Sequence, residues 1–241
     1  MKGVILAGGL GTRLRPLTLT SNKHLLPVYD KQMILYPIDT LVKADIKDVL
    51  IVTGGDTNGF LKLMGNGKKW GLESLHYTFQ EGEGGISDAL SLAEDFADGE
   101  PITVILGDNC TDANIKNEAE SFTDGAKIFL KEVNDPERFG VPTFDDSGNI
   151  LGITEKPSSP MSRYAVTGLY IYDNTVFRRI RSLVPSGRGE LEVTDLNTTY
   201  LKDGKLDWEL LNGFWSDAGT FETLAEVNMY WANKARGKER G

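Results

Sequence analysis

Residues 4–23 have the sequence VILAGGLGTRLRPLTLTSNK, and the remainder of the chain is interpreted around this stretch. An apolar run is followed at once by glycines, which predicts a buried strand ending in a tight loop. Because glycine has no Cβ, its backbone can approach a ligand closely and its N–H groups can point at an anion. Gly8-Gly9 alone would fit a plain turn equally well, but Arg13, Arg15 and Lys23 add positive charge. The stretch therefore predicts a loop that binds a phosphate-like anion.

Two familiar glycine motifs are excluded. A Walker loop needs a glycine followed by Gly-Lys-Ser/Thr at a fixed spacing, and no such string occurs. The dinucleotide fingerprint G-x-G-x-x-G also fails, because its third glycine would fall on Leu14 and Arg13 would stand where the pyrophosphate needs bare backbone. These failures disfavour a nicotinamide-dependent oxidoreductase.

The composition sets broad limits. The chain has 241 residues, of which 40% are hydrophobic, enough for one large α/β domain. Its net charge of −9 argues against general binding to nucleic acid or to an anionic membrane, so a bound phosphate needs a local basic cluster. The single cysteine, Cys110, cannot form an intrachain disulfide, and the two histidines are too few for a structural zinc set. We expect a cytoplasmic protein with no secretion signal and no membrane span.

Strand-like and helix-like patterns alternate along the first half of the chain. Strands are predicted at residues 4–7, 47–53, 75–80 and 102–106, and helices at residues 32–44, 60–64 and 86–97. This alternation predicts an α/β fold with a doubly wound, mostly parallel sheet of the Rossmann-like kind. We predict one domain, residues 1–241, with halves at residues 1–125 and 126–235. The second half is richer in strands, and residues 232–241 are predicted to fray.

Polar side chains follow three of the predicted strands. Gln80 ends one strand, Asp108 follows another through Gly107, and Asp217 ends a strand before a helix that Thr220 can cap. Ligands in such folds bind at the carboxyl ends of strands, where a carboxylate can hold a hard divalent cation. Each residue also has an ordinary structural interpretation, as part of a polar loop, a turn or a helix start. Two strand-end carboxylates beside a basic glycine loop favour a metal-assisted phosphate site.

The strings LAGGLGTRLRPLT and KHLLPVYDKQMILYP closely resemble the signature of sugar-1-phosphate nucleotidylyltransferases, in particular their thymidylyltransferase group. Further family-like strings follow in the same order along nearly the whole chain, namely QEGEGG, LGDN, DPERFGV, EKP, YAVTGLYIYD and RGELEVTDLN. Two positions differ from the family pattern. His24 stands where glutamine is common, and Ser87 follows Gly85-Ile86 where the family has Gly-Leu-Ala.

The resemblance implies most of the candidate site. It places the nucleotide at the glycine loop and at later strand ends, with Leu6, Gly8, Gly11, Thr12, Arg13, Lys23, Gln80, Gly85 and Asp108. It places the sugar phosphate at Asn109, Gly140, Glu155, Lys156, Val166 and Gly168. By the same resemblance Arg13 and Lys23 are catalytic, and Asp108 and Asp217 hold Mg²⁺. Gln80 recognises the pyrimidine edge, which suits an amide because it both donates and accepts hydrogen bonds. Without the resemblance, Glu155-Lys156 would be interpreted as a solvated ion pair.

The activity that the resemblance implies is transfer of a nucleotidyl group from dTTP to glucose 1-phosphate, giving dTDP-glucose and pyrophosphate, with Mg²⁺ as cofactor. The residues leave three alternatives open: use of UTP, use of another hexose 1-phosphate, or a non-catalytic protein that binds nucleotide sugars. Longer family members carry extra C-terminal helices that build subunit contacts and a second nucleotide site. Neither is expected in this shorter chain, although a homo-oligomer stays open.

Overall fold

The computed structural model describes residues 1–55 and 57–238. Within these residues the strands are β1 (Lys2–Ala7), β2 (Pro27–Val28), β3 (Lys31–Gln32), β4 (Asp48–Gly54), β5 (Ser74–Gln80), β6 (Ile102–Leu106), β7 (Asn109–Thr111), β8 (Ala126–Glu132), β9 (Gly140–Phe144), β10 (Ile150–Glu155), β11 (Tyr164–Tyr172), β12 (Leu206–Leu210) and β13 (Trp215–Asp217). The α-helices are α1 (Leu35–Lys43), α2 (Asn58–Met64), α3 (Ile86–Ser91), α4 (Glu94–Ala97), α5 (Lys116–Ser121), α6 (Val176–Ile180), α7 (Val193–Lys202) and α8 (Phe221–Lys238). None of these helices combines the length and apolar character that crossing a membrane requires.

The central sheet has seven strands in the order β12-β8-β11-β6-β1-β4-β5. β1 lies between β6 and β4 and is parallel to both, and β4 is parallel to β5. β11 is antiparallel to its neighbours β6 and β8, whereas the edge strand β12 is parallel to β8. β11 alone therefore runs against the other strands. The prediction of a mostly parallel α/β sheet is confirmed.

Helices cover both faces of this sheet, as a doubly wound fold requires. Successive side chains of a strand point to opposite faces, so the apolar run of β1 contributes to two separate cores. Val4 packs in the core that contains Leu196 of α7 and residues of α3 and α6. Ile5 packs in the opposite core, with Leu41 of α1 and Phe60 of α2. Both faces of the central strand are thus shielded from water by amphipathic helices.

Both halves of the chain contribute strands to the same sheet. The half before residue 126 contributes β1, β4, β5 and β6, and the half that begins there contributes β8, β11 and β12.

Two antiparallel ribbons extend from the central sheet. The β9–β10 ribbon turns at Asp145, which accepts hydrogen bonds from the backbone N–H groups of Ser147 and Asn149. The β7–β13 ribbon pairs Asp217 with Asn109 and so brings Asp217 beside the residue that follows Asp108, the other predicted metal carboxylate.

The predicted helix at residues 86–97 is two short helices, α3 and α4. The chain turns between them at Leu92 and Ala93. The backbone is tighter there, because the N–H of Ala93 donates to the carbonyl of Leu90 at 3.0 Å, three residues back instead of four.

The prediction that residues 232–241 fray is wrong for residues 232–238, which continue α8. Lys234 forms an ion pair with Asp112 and so anchors this part of the helix to the segment that follows β7. Asp112 is far from Lys234 in the sequence, so the local pattern around Lys234 could not predict this contact. Residues 239–241 lie outside the described residues.

Candidate active site

A cleft of about 700 Å³ opens at the carboxyl ends of β1, β5 and β6. Every site residue predicted from the sequence lines this cleft: Leu6, Gly8, Gly11, Thr12, Arg13, Lys23, Gln80, Gly85, Asp108, Asn109, Gly140, Glu155, Lys156, Val166, Gly168 and Asp217. Lining residues that the sequence analysis did not name include Arg138, Tyr170, Arg188, Trp215 and Gly219. The fold therefore gathers residues from both halves of the chain, while their individual roles stay predictions.

The glycine loop requires glycine at two positions. Gly9 and Gly11 have φ values of 88° and 60°, a backbone conformation that residues with a Cβ rarely adopt. After Gly11 comes a short 3₁₀ turn, in which Leu14 is fully buried and Arg13 is exposed. Thr18 Oγ1 donates a hydrogen bond to the carbonyl of Gly11 at 2.8 Å. The loop is thus held by the protein itself and presents Arg13 to the cleft.

Lys23 and Asp108 form an ion pair in the cleft. Lys23 Nζ lies 2.7 Å from Asp108 Oδ2, and the two side chains are only 15% and 12% exposed. Burial is the largest single influence on Asp108 and opposes its ionisation, but the charge of Lys23 and the hydrogen bonds from Lys23 and Asn109 act together against it, and the pKa of the carboxyl lies well below its usual range. Asn109 Nδ2 also donates to Asp108 Oδ1 at 3.0 Å. Asp108 is therefore an anion at neutral pH, with a lysine beside it that can contact a phosphate oxygen.

Asp217 lies on the strand next to Asn109. The N–H of the following residue, Ala218, donates to the carbonyl of Asp108 at 2.9 Å. Burial and then the charge of Asp108 raise the pKa of Asp217 to about 6, against the opposing effect of Arg138. Arg138 Nη2 lies 2.9 and 2.7 Å from the two carboxylate oxygens of Asp217. The two carboxylates are close enough for the charge of one to disfavour ionisation of the other.

This carboxylate pair fits a divalent cation. Two carboxylates that repel each other are stabilised by a shared cation, and Mg²⁺ is commonly bound by one or two carboxylates together with phosphate oxygens and water. Within residues 1–55 and 57–238 no cluster of three or more acidic, histidine or cysteine side chains could form a metal cage. A metal bound by Asp108 and Asp217 would therefore complete its coordination with oxygens of the substrate and of water.

His24, which departs from the family pattern, is buried next to Lys23. Its Nδ1 lies 2.7 Å from Asn22 Oδ1, which also accepts the backbone N–H of His24 at 2.9 Å. Burial and then the charge of Lys23 lower the pKa of His24 to about 3. Gly107 makes room for the ring, since a Cβ there would lie 2.8 Å from Cδ2. The ring is therefore neutral and its Nδ1–H donates to Asn22.

Gln80 ends β5 and is only 8% exposed. Its Nε2 donates to the carbonyl of Gly85 at 3.2 Å and to Asp88 Oδ2 at 2.6 Å. Gly85 has a φ of 92°, and a Cβ on it would lie 2.9 Å from Glu190 and from the backbone of Leu191. The amide predicted to recognise the base is therefore held by its own neighbours, in a loop that only glycine can form.

Glu155 and Lys156 lie at the end of β10. Thr194 Oγ1 donates to Glu155 Oε2 at 2.6 Å, and Lys156 Nζ lies 3.3 Å from Glu155 Oε1. Lys156 has a φ of 45°, uncommon for a residue with a Cβ, and its N–H donates to the carbonyl of Phe139 at 2.9 Å. Backbone strain of this kind occurs preferentially at functional sites. The amine of Lys156 is half-exposed and so available to a ligand.

Two glycines bring the backbone close to the cleft. A Cβ on Gly168 would lie 2.7 Å from Asn109 Nδ2, and one on Gly140 would lie 3.0 Å from Thr194 Oγ1. Asn109, predicted to contact the sugar, also uses its Oδ1 to accept the N–H of Gly168 at 3.0 Å and Nε1 of Trp215 at 2.7 Å. Asn109 thus ties β11 and β13 to the end of β6.

Three residues at the site, Arg138, Trp215 and Asp88, were not predicted from the sequence. Arg138 lies within the quoted string DPERFGV, of which only Gly140 was assigned to the site. That string was the one available signal, because the contacts of Trp215 and Asp88 depend on the folded arrangement.

A parallel sheet with a glycine-rich loop and paired carboxylates at its strand ends defines the class of α/β proteins that bind nucleotides at the carboxyl edge of the sheet. The model of the nucleotidyl transferase family matches residues 2–234, so the chain belongs to this family. The family predicted from the motifs is confirmed.

Individual relatives are similar over most of this chain. Glucose-1-phosphate thymidylyltransferase of Neisseria gonorrhoeae is 46% identical over 237 residues, which cover 95% of this chain and 82% of the relative. The protein of the same name from Xanthomonas campestris pv. campestris (strain B100) is 45% identical over 233 residues, covering 94% and 79%. A Bacillus anthracis protein described as a glucose-1-phosphate thymidylyltransferase, crystallised with sucrose, has a TM-score of 0.91 at 46% identity, covering 95% and 94%. A UDP-glucose pyrophosphorylase complexed with UDP-glucose has a TM-score of 0.85 at 25% identity, covering 97% and 98%.

Proposed function

We propose that the protein transfers a thymidylyl group from dTTP to glucose 1-phosphate, giving dTDP-glucose and pyrophosphate. The observation that supports this most directly is that Lys23, Asp108 and Asp217 share one cleft with the glycine loop and with the Glu155–Lys156 pair. Relatives that are 46% and 45% identical over most of the chain are named for this activity.

The reaction needs little proton chemistry. The attacking oxygen belongs to the sugar phosphate and is already an anion, so neither a general base nor a covalent nucleophile is required. A bond forms between this oxygen and the α-phosphorus of dTTP while the bond from that phosphorus to the bridging oxygen breaks, and its electron pair leaves with pyrophosphate. The protein must bring two anions together and stabilise charge on the transferred group, which positioning and preorganised positive charge can supply.

Three positively charged side chains each contact a different part of the substrates. Arg13 contacts the triphosphate and the departing pyrophosphate, and Lys23 contacts phosphate oxygens at the reacting centre. Lys156 pairs with the incoming sugar phosphate. Lys23 is already oriented by its hydrogen bond of 2.7 Å to Asp108, so its charge needs little rearrangement when substrate binds.

Mg²⁺ is the proposed cofactor, with Asp108 and Asp217 as its protein ligands. When bound, it would neutralise charge on the α-phosphate and so stabilise the transition state. Arg138 orients Asp217 through both carboxylate oxygens, at 2.9 and 2.7 Å. Lys23 balances the charge of Asp108, so each ligand has a cationic partner of its own.

We also propose that residues 1–125 bind the nucleotide and residues 126–235 bind the sugar phosphate, within one domain. Most of the lining residues support this division, because the glycine loop and Gln80 belong to the first half and Glu155 and Lys156 to the second, while Asn109 is a sugar contact proposed from the first half. The proposed location is the cytoplasm, where reducing conditions would keep the buried Cys110 as a free thiol.

Pyrophosphate release with glucose 1-phosphate and Mg²⁺ tests the proposal, run in parallel with dTTP, UTP, CTP, ATP and GTP. We expect release with dTTP, equal or weaker release with UTP, and little with the others. A clear preference for UTP would instead support the activity for which the 25% identical pyrophosphorylase is named. If no pyrophosphate is released with any of these nucleotides, with glucose 1-phosphate or with other hexose 1-phosphates, the enzyme hypothesis is contradicted and a non-catalytic binder is favoured.

Two arginine variants of the glycine loop test the role of Arg13, one as the test and one as its control. Arg13→Ala should lower kcat strongly with little change in thermal stability, because its proposed work lies mainly in the transition state, in which charge develops on the departing pyrophosphate. Arg15 was grouped with Arg13 in the sequence as part of the basic loop, but in the structure it is exposed and does not line the cleft, so Arg15→Ala should keep near wild-type turnover. Equal activity of the two variants would contradict the role of Arg13.

A further inference from the structure

We propose that Asp88 fixes the side-chain amide of Gln80 so that only its oxygen faces the base, and that this orientation selects thymine and uracil over cytosine. The inference rests on the proposed function, in which Gln80 contacts the base. Asp88 acts through Gln80 and is a positioning residue.

The contacts of Gln80 leave its amide one orientation. Both hydrogens of Nε2 are used, because Nε2 donates to Asp88 Oδ2 at 2.6 Å and to the carbonyl of Gly85 at 3.2 Å. The remaining atom, Oε1, lies 3.4 Å from the point where a Cβ on Gly8 would be. Gln80 and Gly8 both line the cleft, so Oε1 lies on the glycine-loop side of the site.

A flipped amide would be unfavourable. It would place Oε1 at 2.6 Å from an acceptor-only carboxylate and 3.2 Å from the Gly85 carbonyl. Neither contact could then be a hydrogen bond, and Gln80 is too buried, at 8% exposure, for water to replace both. Asp88 is the stronger of the two constraints, because its acceptor is charged and its contact is shorter.

The loop before α3 holds Asp88 in place. The Gly84 carbonyl accepts the N–H of Leu191 at 2.8 Å, and the N–H of Ser87 donates to the Leu191 carbonyl at 3.1 Å. A Cβ on Gly84 would overlap the Asp88 carboxylate. The carboxylate therefore fills the space that Gly84 leaves open, between a loop pinned to Leu191 and the end of β5.

The chemistry of the bases then gives a difference in binding. Thymine and uracil carry an N3–H donor, which the Gln80 oxygen can accept. Cytosine presents an unprotonated N3 with a lone pair, which would face that oxygen and leave both acceptors without a donor. A buried polar contact that is missing or opposed reduces binding by about tenfold or more.

An ordinary structural role makes a different prediction. Asp88 lies in the first turn of α3, where an acidic side chain is favourable because of the helix dipole. If that were its whole role, changing it would alter stability while leaving the preference among bases unchanged. The preference among bases is therefore the informative measurement.

The test compares kcat/KM for dTTP, UTP and CTP in wild type, Asp88→Asn and Asp88→Ala. The Asn side chain can donate as well as accept, so it permits the flipped amide, whose Nε2–H suits cytosine. We expect the ratio of kcat/KM for dTTP to kcat/KM for CTP to fall about tenfold or more in Asp88→Asn. The corresponding ratio of UTP to CTP should fall in the same way. The kcat with saturating dTTP should change much less than its KM. Asp95→Asn, at an exposed acid of α4, is the matched control and should keep the wild-type ratio.

Binding measurements separate failure of this inference from failure of the proposed function. Affinities for dTDP and CDP, measured by calorimetry, need no turnover, and their ratio should collapse in Asp88→Asn as the kinetic ratio does. A wild-type dTTP/CTP ratio and dTDP/CDP ratio in both Asp88 variants would overturn the inference while leaving the activity intact. Wild-type protein that releases no pyrophosphate but prefers dTDP, with the preference lost in Asp88→Asn, would overturn only the activity. Asp88→Ala covers the case in which Asp88→Asn does not fold.

Discussion

Arg138 Nη2 contacts both carboxylate oxygens of Asp217, at 2.9 and 2.7 Å, although the two residues are 79 positions apart in the chain. Arg138 Nη1 also donates to Asp135 at 2.7 Å, so the guanidinium bridges two acids and has little freedom to turn. Asp217 is therefore oriented by a fixed cation before any substrate or metal arrives. This arrangement makes Arg138 a determinant of how well Asp217 can act as a ligand.

Arg138→Gln is expected to lower turnover at saturating Mg²⁺ by about 10–100-fold, the usual effect of removing a group that orients a metal ligand. Without the guanidinium, Asp217 can rotate, and its pKa, already raised to about 6 by burial and by Asp108, loses an influence that opposes protonation. Pyrophosphate release measured across a Mg²⁺ titration would show the effect. Arg181→Gln removes a 60% exposed arginine paired with Glu94 and should behave as wild type. Wild-type turnover in Arg138→Gln would contradict the orienting role.

Asp217→Asn is expected to separate activity from stability. The amide keeps the shape of the side chain but removes a ligand charge, so turnover should fall by about 100-fold or more. The folded protein should not lose stability, because the raised pKa of Asp217 means that burying its charge is unfavourable. Steady-state kinetics and thermal unfolding would measure the two effects. Near-normal turnover at low Mg²⁺ would rule out a two-carboxylate site. Asp207→Asn, at a 68% exposed acid of β12, is the control.

Elements with a strong local signal could be predicted from the sequence, and elements that depend on neighbours could not. β1 and β6 are buried on both faces, so their apolar runs and the glycines after them were sufficient. β12 was missed because it is an edge strand with mostly half-exposed or exposed residues. Its stability comes from pairing with β8, which leaves no apolar run in its own sequence.

The same distinction holds for the candidate site. Gly11, Lys23 and Asp108 belong to short motifs, so their shared location could be expected from strand ends that meet at one edge of the sheet. The Trp215 indole contacts Asn109 across 106 positions of the chain, and that contact is decided by the pairing of β7 with β13. Sequence patterns specify which residues end a strand, whereas the partner of each side chain follows from the topology.

The buried histidine is expected to make the protein sensitive to acid. The pKa of His24 is about 3 in the folded protein, against 6.5 in the absence of burial, so between these values the unfolded chain binds a proton that the folded protein does not. The free energy of unfolding should therefore fall as the pH drops below about 6.5, by at most about 1.4 kcal/mol per pH unit from this group. Urea unfolding at several pH values, in EDTA, would measure the slope.

His24→Gln should remove this part of the slope, since glutamine does not titrate. His76→Gln is the matched control, because His76 is the other histidine of the chain and its side chain is 54% exposed. It should leave in place the part of the slope that comes from the burial of His24. If His24→Gln and wild type lose stability in parallel as the pH falls, the ring of His24 is not held neutral by burial.

The side-chain hydroxyl of Ser87 is expected to lower the stability of the folded protein. Its side chain is fully buried, and its Oγ has no hydrogen-bond partner among the described residues. A buried polar group without a partner costs about 1–3 kcal/mol, so Ser87→Ala should raise the free energy of unfolding by about 1 kcal/mol. Ser91→Ala is the control on the same helix, because Ser91 Oγ donates to the Asp88 carbonyl at 2.6 Å and its loss should lower stability. Denaturant unfolding of both variants measures the contrast, and a less stable Ser87→Ala would mean that the hydroxyl has a partner. The preference among bases should be unchanged in Ser87→Ala, since the variant leaves the contact between Asp88 and Gln80 in place.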